Sequence, residues 1–117
     1  MPRFVVLIHD HPSLHWDLML EKEAGLRTWR LERPPTERRS IAAESLAIHR
    51  LAYLDYEGPV GGNRGSVCRF DRGEYTLVEE TVDRLEVDLK GTVLMGKAVL
   101  ERKGPGGGWT FAFVLNC

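Results

Sequence analysis

The sequence predicts a mainly β protein, a small antiparallel β-barrel with one or two short helices. Three observations point there. The apolar segments are short and recur at regular intervals between Gly, Pro and Asp turn residues. Several alternate apolar with charged residues, the period of a strand with one face buried. One stretch alone carries a helix-start signal.

Residues 4–8 form an apolar run, consistent with a buried strand. Residues 14–21 follow as a second strand and 26–31, around Trp29, as a third, with Glu23-Ala24-Gly25 turning between them. Pro34-Pro35 stops that strand. Residues 36–46 predict one short helix, because Ser40 can cap it and Glu44 places a carboxylate further on. Residues 51–57 are apolar and aromatic, and Gly58-Pro59 with Gly61-Gly62-Asn63 marks a loop. Residues 67–70 predict a strand closed by an Asp71-Arg72-Gly73 turn, and 75–79 another. In residues 84–90, Leu85, Val87 and Leu89 alternate with charges; 93–102 and 109–115 complete the set, with turns at Gly91 and at 104–108. Trp109, Phe111 and Phe113 share one face of the last strand. Such a row could stack nucleobases, but at this spacing it reads as core.

With 117 residues, the chain is long enough for one domain and one core. Its 43% hydrophobic content argues against disorder. No apolar run is long enough to cross a bilayer, and the start lacks a signal-peptide pattern. Two cysteines, Cys68 and Cys117, make no disulfide framework, so a reducing, cytoplasmic setting is expected. A net charge of −1 is unlike that of a non-specific nucleic-acid binder. The arginines are uneven, however: Arg27, Arg30, Arg33, Arg38, Arg39 and Arg50, then Arg64, Arg69 and Arg72, precede an acidic stretch from Glu74 to Asp88. That distribution fits either a local basic surface or a solvated, salt-bridged loop.

The chemistry concentrates in His9-Asp10-His11-Pro12-Ser13-Leu14-His15-Trp16-Asp17, which holds three of the chain's four histidines. Imidazoles and carboxylates suit borderline divalent metals, and three such ligands leave positions open for substrate. His15 and Asp17, two apart on a strand, point to one face, while Trp16, Leu18 and Leu20 point to the other. The cluster reads as a metal or catalytic site ahead of an exposed polar cluster. His11, restricted by Pro12, shapes the loop. By residue type alone, His49 reads first as a polar residue beside Arg50, and Tyr53 as a core aromatic, with a functional role second for each.

Taken in order, these motifs resemble the 3′-phosphoesterase domain of bacterial DNA ligase D. Phe4-Val5-Val6 leading to His9-Asp10, then Leu14-His15-Trp16-Asp17 with Leu20-Glu21, is similar to that family's first motif. Trp29 matches its tryptophan after the turn. The segment from His49 through Tyr53 and Asp55 to Gly58 matches its H-P-L-x-Y-x-D-F-E-G, and Phe70-Asp71-Arg72-Gly73 its W-D-x-G.

The resemblance implies a β-barrel-like domain with a divalent metal, manganese first and zinc or cobalt as alternatives. His9, His15 and Asp17 would hold it, and His49 and Tyr53 would act at the scissile phosphate. Arg33 would bind substrate phosphate, as would Arg50 and Arg64 by entering from neighbouring loops where Met19 replaces the family's arginine; Asp10 and Glu21 read as structural. The implied substrates are DNA or RNA–DNA 3′ ends carrying ribonucleotides or a terminal phosphate, trimmed to a 3′-OH. A ligase or polymerase of end joining acting in trans is the implied partner, no membrane is involved, and a monomer is expected. One departure stands out: Met19 occupies the position where active family members carry an arginine. The alternative is therefore a non-catalytic or weakly active end-binding accessory of the same fold.

Overall fold

The computed structural model describes residues 1–104, 106 and 108–115. Nine strands are present: β1 Arg3–His9, β2 His15–Lys22, β3 Gly25–Leu31, β4 Ile41–His49, β5 Gly58–Pro59, β6 Ser66–Glu80, β7 Arg84–Gly91, β8 Met95–Arg102 and β9 Trp109–Leu115. They form one antiparallel sheet in the order β1-β2-β3-β4-β9-β8-β7-β6-β5, and a further β1–β6 pairing closes it into a barrel-like ring. A 3-10 turn, Leu51–Leu54, follows β4.

Alternation along the strands sends one set of side chains into the ring. Phe4, Val6, Leu18, Leu20, Trp29, Leu31, Val87, Leu89, Leu100 and Phe111 meet there as the main core. Trp109 and Phe113 pack against it, so the aromatic row of β9 is structural. A second, smaller cluster lies on the other face of β1–β3. Val5, Leu7, Met19 and Leu26 are covered there by Leu54 and Val67, with Tyr53 and Val60 alongside. This explains the unbroken apolar run of β1, which is buried on both faces.

Two sequence expectations are corrected. The helix expected at 36–46 is replaced by β4, preceded by an irregular stretch; among the described residues there is no α-helix. Ile41 and Ala43 are buried between exposed Ala42 and Glu44, a period of two that alanine's helix propensity disguises. Pairing with β3 and β9 overrides that propensity.

The Asp71-Arg72-Gly73 turn is likewise absent, because those residues lie inside the long strand β6. Asp71 is buried, and its carboxylate accepts the backbone N–H groups of Thr92, Val93 and Leu94 at 2.9, 3.1 and 2.8 Å, clasping the β7–β8 turn. Gly73 faces Gly91 across β6 and β7. A Cβ on Gly73 would lie 2.0 Å from the Lys90 carbonyl oxygen, and one on Gly91 would lie 2.2 Å from Asp71 Oδ2. Both glycines are there for close approach. The expected turn at 104–108 falls partly on Pro105 and Gly107, and Cys117 is also outside the described residues; Cys68 is exposed and unpaired among the described residues. Among the described residues no helix is long and apolar enough to cross a membrane.

Candidate metal centre and phosphate cleft

β1 and β2 form a hairpin whose mouth pairs His9 with His15. Alternation then places Asp17 on the face that His15 occupies. His9, His15 and Asp17 each offer one ligand atom, all within 4.8 Å of one another. His15 and Asp17 are buried, and His9 is half-buried at the rim.

The hydrogen bonds fix which nitrogen of each ring is bare. His15 Nδ1 donates to the Ser13 carbonyl oxygen at 2.9 Å, so Nε2, 3.2 Å from Asp17 Oδ2, presents a lone pair in the neutral ring. His9 Nε2 donates to the Arg64 carbonyl oxygen at 2.8 Å, so Nδ1, 3.5 Å from Asp17 Oδ2, does the same. Two lone pairs thus converge on a carboxylate. Asp17 Oδ1 is buried and makes no hydrogen bond among the described residues, although His15 Nε2 also lies 3.2 Å from it. Only a positive charge, whether a proton or a cation, relieves such an arrangement. In the metal-free protein the cluster favours a proton on His15. Burial pulls the His15 pKa down, but the Asp17 hydrogen bond and charge, with the Ser13 carbonyl, outweigh it and hold it above the ordinary 6.5. The donor set therefore fits a divalent cation, with the His9 nitrogen and the Asp17 carboxylate facing an open cleft and the His15 nitrogen behind them.

That cleft, about 510 Å³, is lined by His9, His11, Pro12, Asp17, Met19, Arg30, His49, Arg50, Tyr53, Val60, Arg64 and Val67. Of the residues singled out in the sequence, His49, Tyr53, Arg50 and Arg64 therefore share one cavity with two of the metal ligands. His49 Nδ1 donates to the Ala47 carbonyl oxygen at 2.8 Å, which leaves Nε2 for a ligand. The Tyr53 ring meets it edge-on at 6.0 Å. Arg64 does two things: its backbone carbonyl orients His9, and its side chain lines the cavity while Nε donates to the Gly61 carbonyl.

Arg33 does not line the cavity; its Nε donates to Glu37 at 2.8 Å on the protein surface. Asp10 and Glu21 hold backbone. Asp10 Oδ1 accepts the Ser66 N–H at 2.8 Å, an interaction that keeps its carboxyl below the ordinary carboxylate range. Glu21 accepts the Arg3 N–H with its side chain and the Tyr75 hydroxyl with its carbonyl.

The sequence reading missed Arg30. It pairs with Asp17 in the β2–β3 register and so projects from the same face into the same cavity. The signal was available. Once Glu23-Ala24 is the two-residue turn of the hairpin, counting outward from Lys22 and Gly25 puts position 30 opposite position 17. Met19 lies on that face too, but buried in the smaller apolar cluster.

A ring of antiparallel strands bearing a two-imidazole, one-carboxylate cluster in a cation-walled cleft defines the class of protein. The chain belongs to the DNA Ligase D 3′-phosphoesterase domain family, whose profile matches residues 8–102. It is 30% identical over 92 residues to the multifunctional non-homologous end joining protein LigD of Pseudomonas aeruginosa, an alignment covering 72% of this chain and 11% of that protein. The chain thus spans a small fraction of the length of that relative.

Proposed function

We propose that this chain is a metal-dependent phosphoesterase that trims DNA or primer 3′ ends, removing a 3′-ribonucleotide or a 3′-phosphate to leave a 3′-OH. One observation carries the reading: three metal-competent side chains converge, and two of them, His9 and Asp17, line a cleft whose walls include His49, Tyr53, Arg50 and Arg64. Family membership supports the same substrate class.

His9, His15 and Asp17 would hold the cation, manganese on this reading, with zinc or cobalt as alternatives; the two-nitrogen, one-oxygen set suits all three. When bound, it supplies Lewis-acid stabilisation of charge on the phosphoryl group. Arg50 and Arg64 take the phosphate oxygens, cationic donors placed where negative charge accumulates. Water adds to phosphorus and the P–O bond to the leaving group breaks. The attacking water releases a proton to solvent, and His49, through Nε2, gives the departing oxygen its proton. Tyr53 keeps the His49 ring in place and offers its hydroxyl to the phosphate. The reading places the protein in the cytoplasm as a monomer, with an end-joining ligase or polymerase as its partner.

The deciding experiment incubates the purified protein with manganese and a primer–template ending in a 3′-ribonucleotide or a 3′-phosphate, beside a His15→Ala control. Manganese-dependent release of a 3′-OH end by the native protein alone is expected. If native protein and control are equally inert, the hydrolase reading fails and the end-binding accessory takes its place.

A further inference from the structure

We infer that Arg30 seats the substrate phosphate, reaching the cleft from β3 beside the metal ligands. The inference rests on the hydrolase reading for its substrate but stands on separate geometry. Arg30 is the direct cross-strand partner of Asp17, so its side chain leaves the sheet on the face that bears the cation ligands. It lines the cavity that holds His9, Asp17, His49, Arg50 and Arg64.

Its guanidinium is poorly used by the protein itself. Nε is buried and finds no hydrogen-bond partner among the described residues. The contact that Nη1 makes with Glu44 Oε1 is long, at 3.9 Å, and Glu44 is exposed. A buried donor without an acceptor is costly, and a guanidinium fork matches two phosphate oxygens. A phosphate placed between Arg30 and the Asp17 cluster would satisfy that donor.

Met19 strengthens the case. It lines the same cavity but is neutral, and it packs with Val5, Leu7, Leu26, Leu54 and Val67. β2 therefore offers the phosphate no charge-assisted donor from position 19, and the nearest cation on the sheet floor comes from the neighbouring strand. The phosphate seat lies toward β3 and β4, where Arg30 and His49 are, roughly one strand spacing (~4.8 Å) from β2. The side formed by Met19, Val60 and Val67 is left apolar, suited to the sugar of the terminal nucleotide.

The test uses the manganese-loaded protein and two DNA oligonucleotides that differ only in a 3′-OH or a 3′-phosphate whose bridging oxygen is replaced by methylene so that it is not hydrolysed, with binding read by fluorescence anisotropy. The native protein should prefer the phosphorylated end. Arg30→Ala should bind that end roughly tenfold to a hundredfold more weakly, the scale of a lost charge-assisted hydrogen bond, and bind the 3′-OH end unchanged. Arg30→Lys should recover part of the loss, since it keeps the charge without the fork. Manganese affinity, followed by electron paramagnetic resonance, should be the same in all three proteins. Met19→Arg in the Arg30→Ala background should restore the preference; if that variant does not fold, the Lys comparison decides. Equal binding of the two ends by the native protein, or an unchanged preference in Arg30→Ala, overturns the inference. Native turnover that Arg30→Ala leaves intact sinks this inference alone. Absent turnover with an Arg30-dependent preference sinks the hydrolase reading alone.

Discussion

His15 Nε2 stands 3.2 Å from the Asp17 carboxylate while its Nδ1–H donates a hydrogen bond to the Ser13 carbonyl. The pair is complete only when a proton or a cation lies between them, and the two compete for one place. The His15 pKa is raised in the folded protein, so its stabilising contribution is fully present below the unfolded value of 6.5. That contribution is lost as pH rises through the folded value. A cation has the opposite preference, because it needs the ring deprotonated. The metal-free protein should therefore lose stability as the pH rises above 6.5, and manganese should raise the melting temperature more at pH 8 than at pH 6. At a hundred times its dissociation constant, the cation adds about 2.7 kcal/mol. Differential scanning fluorimetry with and without manganese at both pH values checks this. Equal shifts at both would show that His15 is not a ligand.

Asp71 is predicted to matter for the fold and not for the chemistry. Its carboxylate takes three backbone N–H groups, that of Leu94 buried and those of Thr92 and Val93 partly so. Asp71→Ala should cost about 3 kcal/mol, the scale of breaking hydrogen bonds to a buried charge. For a domain of this size that lowers the melting temperature on the order of 10 °C. Asp71→Asn, which keeps one acceptor oxygen, should fall between. Thermal unfolding ranks the three proteins; an unchanged midpoint in Asp71→Ala would remove the clasp from the account.

What could be read from the sequence divides along physical lines. β1 was legible as a short apolar run ending at the histidine loop, and the candidate ligands on β2 because His15 and Asp17 alternate with Trp16, Leu18 and Leu20, which fix the opposite face. β4 was not, since alanine and a Ser-to-Glu spacing favour a helix locally while only distant strands supply the pairing. Asp71-Arg72-Gly73 has the composition of a turn, yet Gly73 serves close approach to a strand that comes later in the chain. Arg30 carried no motif. Its role emerges only when the hairpin register sets it across from Asp17. Arg33, by contrast, has the right charge but is tied to Glu37 outside the cleft.

His49 and Tyr53 should separate by the kind of loss they produce. His49→Ala removes the proton donor to the leaving oxygen and should lower kcat by about 10²–10³-fold, within the range of general acid catalysis. Tyr53→Phe keeps the ring that packs edge-on against His49 and removes only the hydroxyl. Its loss should be smaller, about tenfold, the scale of one hydrogen bond. Steady-state kinetics on a 3′-phosphorylated primer measures both. A His49→Ala enzyme as fast as the native one would take His49 out of the reaction.

Gly65 tests whether the loop at 61–65 tunes the metal centre from outside it. The residue has a φ of +72°, and a Cβ there would lie 2.2 Å from Asp10 Oδ1 and 2.8 Å from His11 Cβ. Asp10 accepts the N–H of Ser66, while the carbonyl of Arg64, on the other side of Gly65, receives the proton of His9 Nε2. Gly65→Ala therefore strains the backbone and pushes Asp10 away, and the displacement reaches His9 through Arg64. Removing the partner that orients a ligating imidazole costs about 10–100-fold in metal affinity. Gly65→Ala should bind manganese about tenfold more weakly while still folding cooperatively. Gly61 lies in the same loop, and a Cβ there meets nothing within 4 Å. Gly61→Ala should leave manganese affinity unchanged. Isothermal titration of the three proteins settles it: if both glycine variants match the native protein, the loop does not position His9.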